Sequence, residues 1–381
     1  MYSIDLSKGL INSGNWNRIK QTMQKAKRGE PITTAFLGGS ITQGCLASKQ
    51  KLCYANRVHS WWVNKFPESG IEFINAGIGG TTSQFGVSRV RDHVLCNQPD
   101  FILAEFAVND DNTEFFKETY EGLVRRILSD VDRPALLLMN NVRFDDGINA
   151  EDMHLPVAKH YEVPMVSMKP TIWEAIKAGE IIATDITEDF LHPNDLGHEL
   201  IANVIIDFLE KVYASLDEEC APASYDVAIN DILLPEPITQ NAYENSSRVK
   251  KYTMRDYEVT LNGFNLDMKH KQGFLDIFTG GYEASKVGDS ISLVAECTGI
   301  AVQYKKTINK PAPIAYAVVD GDEEHPIVLD ANFDEDWGDC LFIETVAKHM
   351  ELGKHKVEIT IKETHEDDQL PFYLVSLIVS K

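Results

Sequence analysis

Apolar runs and amphipathic stretches alternate along the first half of the chain, from about Ile32 to Leu216. Five short runs are apolar almost throughout: ITTAFLGG, IEFINAGIGG, DFILAEFAVND, ALLLMNNV and VPMVSM. The segments around them, such as FFKETYEGLVRRILSD and NDLGHELIANVIIDFLEKVYASL, space their apolar residues at helical intervals. Strands that are covered by helices on both faces do not show the alternation of apolar and polar residues that is typical of strands with one exposed face. This half therefore predicts an α/β domain with an open, doubly wound parallel sheet of about five strands.

The pattern of apolar residues changes after about Lys250, where shorter and β-rich runs follow one another. They include YEVTLNGF, GFLDIFTGG, SISLVAECTGIAVQYKK, PIAYAVVDGD, CLFIETVAKH, HKVEITIKE and FYLVSLIVSK. Gly, Asp, Asn and Pro separate these runs at intervals typical of a β-sandwich or jelly roll. We therefore predict an α/β domain at 1–217, a linker containing proline and acidic residues at 218–247, and a β-sandwich domain at 248–381.

The charge composition limits which classes of partner the protein can bind. The 381 residues carry 36 Lys plus Arg against 58 Asp plus Glu, a formal net charge of -22. This field repels polyanions, so nucleic acid and anionic membrane surfaces are disfavoured and neutral ligands are favoured. The opening MYSIDLSKGLINSGNWNRIK has no apolar core behind a basic start, which favours a cytoplasmic protein unless a signal has been removed.

The six cysteines are spread thinly, with no C-x-x-C and no clustered Cys/His spacing. We expect free and mostly buried thiols. No zinc site, other metal or cofactor is indicated.

The first predicted strand ends in Gly38 and Gly39, and Ser40 follows where a helix should begin. Ligands of doubly wound sheets bind beyond the carboxyl ends of the strands. The free N–H groups of a helix amino terminus would stabilise an oxyanion beside Ser40. The alternative is that Ser40 only caps the helix, a role that serine fills well.

The next two strands also end in residues suited to such a crevice. NAGIGGTTSQ exposes backbone at its glycines but fails the dinucleotide pattern G-x-G-x-x-G, because Thr82 and Ser83 replace the third glycine. It is therefore weak evidence for NAD. DFILAEFAVNDD leads into Asn109, whose amide can donate a hydrogen bond towards the crevice or serve as an ordinary turn residue.

The fourth feature is ITEDFLHPNDLGHEL, in which Asp189 and His192 lie three residues apart before the last long helix. In a single turn the carboxylate can bind one imidazole nitrogen while the other faces the cleft. One histidine among 11 carries little weight alone. Its pairing with Asp189, after three compatible strand ends, indicates an acid–base group.

These four blocks resemble those of the SGNH, or GDSL-type, hydrolase superfamily over about Ile32 to Leu216. The resemblance implies a flavodoxin-like order of the strands in the doubly wound sheet. It also implies that Ser40 is the nucleophile, His192 the base and Asp189 the group that orients His192. It implies an oxyanion hole made by the N–H groups of Ser40 and Gly80 and the side-chain amide of Asn109.

Two positions depart from the family pattern. Gly39 replaces the aspartate of the usual Gly-Asp-Ser, and Ala107 replaces a glycine that often lies two residues before the asparagine. Other nucleotide and serine-enzyme motifs fit less well. The elbow of α/β-hydrolases needs glycine where Thr42 stands, and a P-loop needs Lys and a hydroxyl residue where Cys45 and Leu46 stand.

The two-domain arrangement resembles bacterial carbohydrate O-acetylesterases that act on acetylated mannan or xylan fragments. We expect an acetylated oligosaccharide as substrate, no nucleic-acid or membrane partner, and leave a homo-oligomer open. A lysophospholipase or thioesterase would use the same four groups. A non-catalytic carbohydrate-binding protein is the alternative outside the enzymes.

The segment NFDEDWGDC places Trp337 among Asp334, Asp336 and Asp339. Such a composition suits an aromatic ring that stacks on a sugar while carboxylates bind its hydroxyls. Our hypothesis is that this loop overhangs the Ser40 cleft. The alternative is a tryptophan packed under its own loop.

Overall fold

The computed structural model describes residues 2, 4–228, 231–273 and 275–381. The chain forms two compact units, Met1–Asn241 and Ala242–Lys381. Their division lies inside the predicted linker 218–247, of which positions 229–230 fall outside the described residues.

The first unit is built on a six-stranded sheet. Its strands are β1 (Leu10–Asn12), β2 (Ile32–Gly38), β3 (Ile71–Gly77), β4 (Phe101–Glu105), β5 (Ala135–Asn140) and β6 (Met165–Ser167). They lie in the order β1-β6-β5-β4-β2-β3. Strands β2 to β6 are mutually parallel, and counted from β2 their order is the flavodoxin-like 2-1-3-4-5. The predicted fold class is confirmed.

Strand β1 is an addition that the apolar pattern does not reveal. It pairs antiparallel with β6 at the sheet edge, and its three residues are all only partly buried. By contrast, β4 and β5 are buried at every position. Helices cover both faces of these central strands, which is why their sequences are apolar throughout.

The helices of the first unit are α1 (Asn17–Lys27), α2 (Ser40–Gln43), α3 (Tyr54–Lys65), α4 (Ser83–His93), α5 (Glu114–Leu128), α6 (Glu151–His160), α7 (Glu174–Lys177), α8 (Ala183–Ile186) and α9 (Asp195–Ala214). Short 3₁₀ turns lie at Leu6–Gly9, Gln50–Leu52 and Leu95–Asn97, and a π turn lies at Lys169–Trp173. Asn194 caps α9, because its side-chain oxygen accepts the N–H groups of Leu196 at 3.0 Å and Gly197 at 3.2 Å. A two-stranded ribbon, β7 (Asp226–Ala228) and β8 (Asp231–Ile232), follows α9.

The second unit is a sandwich of two antiparallel sheets. Its strands are β9 (Ser247–Val249), β10 (Glu258–Asn262), β11 (Asn265–Leu266), β12 (Tyr282–Ala284), β13 (Ser290–Cys297), β14 (Gly299–Lys306), β15 (Ile314–Val319), β16 (Ile327–Asp330), β17 (Cys340–Ala347), β18 (Gly353–Glu363) and β19 (Phe372–Ser380), with a 3₁₀ turn at Met254–Asp256. One sheet has the order β10-β13-β18-β15-β16 and the other β11-β12-β19-β14-β17, with β9 beside β19.

Apolar residues of both sheets form one core in this unit. In β13 the buried positions alternate with outward ones, as expected for a sheet with one covered face. The prediction of a strand at GFLDIFTGG is wrong for the described positions of this run. They form turns between β11 and β12, where Thr279 Oγ1 donates to the Asp276 carbonyl at 3.0 Å. Phe274 lies outside the described residues.

All six cysteines are free thiols, and Cys53, Cys297 and Cys340 are buried. Within the described ranges, no helix combines the length and the apolar character needed to cross a membrane.

Candidate active site

The predicted site residues follow the carboxyl ends of three neighbouring strands. Gly38 at the end of β2 is in register with Gly77 of β3 and Glu105 of β4. Ser40, Gly80 and Asn109 follow those three ends. The site therefore lies at the switch point of the doubly wound sheet, between β2 and β4.

Close packing around α2 explains the glycines of the first two blocks. A Cβ on Gly38 would lie 2.2 Å from Thr42 Oγ1, and one on Gly77 would lie 2.2 Å from the Gln43 nitrogen. The backbone of β2 can therefore turn directly into α2 only with minimal side chains beside it. Ser40 becomes the first residue of that helix.

A continuous hydrogen-bond relay joins three of the predicted residues. His192 Nε2 lies 2.8 Å from Ser40 Oγ, and His192 Nδ1 lies 2.6 Å from Asp189 Oδ2. A carboxylate can only accept, so Nδ1 carries the proton and Nε2 of the neutral ring accepts from the Ser40 hydroxyl. Ser40 retains only 7% exposure, so this contact is sheltered at its serine end.

The Asp189 carboxylate is held by the loop that it starts. Its Oδ1 accepts the N–H groups of Leu191 at 2.9 Å and His192 at 2.7 Å. Burial alone would raise the pKa of Asp189, but the hydrogen bonds from the His192 imidazole and these two N–H groups hold the pKa below its usual value. Asp189 is therefore an anion at neutral pH, and Thr187 Oγ1 fixes the loop further by donating to the His192 carbonyl at 2.7 Å.

The predicted oxyanion donors flank Ser40. A Cβ on Gly79 would lie 3.6 Å from Ser40 Cβ, and the Gly79 N–H already donates to Gln43 Oε1 at 2.7 Å. Gly80 follows with φ 64°, a conformation that favours glycine. In the described chain, the N–H groups of Ser40 and Gly80 donate to no protein acceptor.

Asn109 packs against the other side of the nucleophile turn. A Cβ on Gly39 would lie 2.3 Å from Asn109 Oδ1 and 3.2 Å from its Cγ. The buried Oδ1 accepts no hydrogen bond within the described residues. Packing against Gly39 thus positions the Asn109 amide beside Ser40.

Comparison with known proteins shows the family of this chain. The model of the GDSL-like lipase/acylhydrolase family matches residues 36–200. A crystal structure of a two-domain esterase active on acetylated mannans, co-crystallised with mannopentaose, is 48% identical, covers 100% of this chain and 99% of that chain, and has a TM-score of 0.93. The chain belongs to the GDSL-like lipase/acylhydrolase family.

As a member of this family, the protein is a carboxylic ester hydrolase. A second structure of the two-domain mannan esterase, described without the sugar, gives the same 48% identity and TM-score of 0.93. Among curated proteins, thioesterase 1/protease 1/lysophospholipase L1 of Escherichia coli (strain K12) is 26% identical over 180 residues, which covers 45% of this chain and 80% of that protein.

A buried polar cluster behind the GDSL-type site was not found from the sequence. Asp110 Oδ1 accepts the Ser83 N–H at 2.8 Å, at the start of α4, and Oδ2 lies 3.1 Å from His154 Nε2. His154 stacks on Tyr120 with a centroid distance of 3.6 Å. Asp110 therefore ties the segment after Asn109 to the helix that follows the Gly80 turn. The doubled acid in NDD was its only local signal.

Glu105 is a second buried acid at this edge. Burial raises the pKa of Glu105 to about 8, and the nearby Asp110 carboxylate adds to this rise. Glu105 is thus largely neutral near pH 7. It lies at the strand end beside Gly38, in contact with the scaffold rather than with the relay.

Trp337 belongs to the second unit. Its side chain is 55% exposed, and its ring meets Phe333 edge-on at a centroid distance of 5.0 Å. It is therefore not packed fully under its own loop. Its contact with a sugar stays a prediction.

Proposed function

We propose that this protein is a serine esterase that removes O-acetyl groups from hemicellulose-type oligosaccharides, such as acetylated mannan or xylan fragments. The relay from Asp189 through His192 to Ser40 carries the proposal, because it supplies a nucleophile, a base and an orienting anion in one line. The substrate class is supported by the similar esterase, which is active on acetylated mannans and shares 48% identity across the whole chain.

The reaction begins with the transfer of the Ser40 proton to His192. As Oγ attacks the acetyl carbonyl carbon, Nε2 takes the hydroxyl proton, and Asp189 stabilises the resulting imidazolium. The tetrahedral intermediate then expels the sugar alkoxide, which receives that proton from Nε2. The products of this half-reaction are the free sugar hydroxyl and an acetyl ester on Ser40.

Water completes the cycle by the same route. His192 removes a proton from water as its oxygen attacks the acetyl-enzyme, and collapse of the second intermediate returns the proton to Ser40 Oγ. Acetate leaves, and the enzyme regains its starting state. In both intermediates the negative oxygen faces the N–H groups of Ser40 and Gly80 and the Asn109 amide. Loss of one such donor typically costs about 10²- to 10³-fold in rate.

The test is mass spectrometry of acetate release from defined acetylated manno- and xylo-oligosaccharides. We expect the wild-type protein to release acetate and Ser40→Ala to release almost none. Full activity of Ser40→Ala would overturn the assignment of the nucleophile. Wild-type protein that releases no acetate from either series would overturn the substrate class.

A second candidate function comes from the Escherichia coli relative, whose name includes thioesterase and lysophospholipase. An enzyme of that type would use the same relay but prefer long acyl chains. Initial rates on esters from acetyl to palmitoyl separate the two candidates. We expect the rate to be greatest for acetyl.

A further inference from the structure

Two large apolar residues of the first unit have left-handed backbone conformations. Leu46 has φ 59° and Phe190 has φ 60°. The other non-glycine residues with positive φ in the described chain are polar or charged: Gln98, Arg133, Glu162, Asn241, Asp320 and His349. For a bulky apolar side chain this region is a steric outlier, which points to a local constraint.

Phe190 lies inside the loop that carries the relay. It follows Asp189 directly and precedes His192 by two residues. Its carbonyl accepts the Phe144 N–H at 2.8 Å, so the loop after β5 holds its backbone in place. Phe190 is therefore held by a contact from another loop, at a position between the two relay residues Asp189 and His192.

Leu46 lies on the loop after α2, which is fastened to α9. His198 Nε2 donates to the Cys45 carbonyl at 3.1 Å, and the Ser48 N–H and Oγ donate to the Asp195 carboxylate at 2.8 and 2.6 Å. Helix α9 begins three residues after His192. Leu46 therefore lies on a loop that is bonded to α9, the helix that directly follows the relay loop of Phe190.

Core packing does not account for either side chain. Leu46 is 40% exposed and Phe190 is 38% exposed. Within the described residues, the Phe190 ring stacks on no other aromatic ring. Two strained apolar side chains that stay open to solvent beside a reaction centre are suited to a ligand rather than to the fold.

The chemistry of the relay indicates which part of the ligand they meet. His192 Nε2 must give its proton to the departing alcohol, so the alcohol half of the ester lies on the His192 side of Ser40. Phe190 belongs to that loop. Sugar rings present C–H faces that pack against aromatic and aliphatic side chains while their hydroxyls stay hydrated.

We infer that Phe190 and Leu46 are substrate-positioning residues that contact the sugar ring bearing the acetyl ester. The inference rests on the proposed function and extends it to the leaving-alcohol side. Both residues act on binding of the sugar and leave the bond-making steps at Ser40 unchanged. Their loss therefore raises KM for sugar esters without lowering kcat.

The experiment compares an acetylated manno-oligosaccharide with ethyl acetate, a small ester without a sugar ring. For Phe190→Ala and Leu46→Ala we expect KM for the sugar ester to rise about fivefold, the effect of uncovering roughly 40 Å² of apolar contact. The rate on ethyl acetate should stay within about twofold of wild type. Phe190→Trp should restore the KM.

The matched control is Val131→Ala, because Val131 is 89% exposed in the same unit but precedes β5 at the opposite edge of the sheet. It should leave both substrates unchanged. Equal losses on both esters for Phe190→Ala would make the ring a support of the relay and overturn the inference. An unchanged KM would overturn it too. Wild-type protein that fails to favour the sugar ester would instead overturn the proposed function.

Discussion

A single methyl group at Gly39 should disable the site while leaving the fold nearly intact. The Cβ of Gly39→Ala would lie 2.3 Å from Asn109 Oδ1, well inside the van der Waals contact distance. Gly39 has φ -88°, so alanine meets no left-handed backbone penalty there. Among the atoms nearest the added Cβ, the collision is with the Asn109 amide, because the Thr81 carbonyl oxygen lies 3.6 Å away.

The way in which Asn109 avoids this collision determines how much stability and activity the variant loses. The atom in the way is the end of a short side chain, and Oδ1 accepts no hydrogen bond within the described chain, so Asn109 can rotate aside. We expect a stability loss of about 1 to 2 kcal/mol, as for a modest overpacking. Rotation removes one oxyanion donor, so kcat should fall by about 10²- to 10³-fold. The effect on rate exceeds the effect on stability.

The assay is kcat and KM from acetate release, with thermal unfolding followed by circular dichroism. Gly70→Ala is the control, because no atom lies within 4 Å of its added Cβ. In an Asn109→Ala background the space beside Gly39 is empty, so Gly39→Ala should cost little more. Additive losses in the double variant, or an active Gly39→Ala protein, would refute the reasoning.

Two further predictions concern groups outside the relay. Glu105 has a folded-state pKa of about 8, above its ordinary value, so it contributes stability at low pH that is lost as the pH rises through 8. Glu105→Gln should remove a pH-dependent loss of stability of up to roughly 4 kcal/mol between pH 5 and 9, and parallel urea-unfolding profiles of the two proteins would contradict this. Trp337→Ala should slow hydrolysis of acetylated oligosaccharides and spare small aryl esters; if neither rate changes, Trp337 does not contact the sugar.

The candidate site could be predicted from the sequence because its residues directly follow the ends of recognisable strands. Apolar runs mark β2, β3 and β4, and in a parallel sheet their carboxyl ends must lie side by side. Small residues after two of those runs and an amide after the third then become neighbours by topology alone. The Asp189–His192 pair is local in sequence, so one turn of chain brings it together.

Other features depend on contacts between distant segments. Asp110 meets Ser83 and His154 across 27 and 44 residues, and neither partner carries a distinguishing neighbour in sequence. Phe190 has a positive φ that no propensity predicts, and its carbonyl accepts the N–H of Phe144, 46 residues away. β1 is similarly set by its pairing with β6 rather than by its three residues.

The departure at Gly39 shows how such contacts change the meaning of a motif. From the sequence, the missing aspartate of Gly-Asp-Ser removes no group used in the chemistry. In the structure, the space that a side chain at this position would enter is filled by Asn109, which we propose as the third oxyanion donor. Gly39 and Asn109 are therefore coupled: a side chain at 39 requires another position for the amide. Gly39 belongs to the site because its missing side chain leaves room for the Asn109 amide.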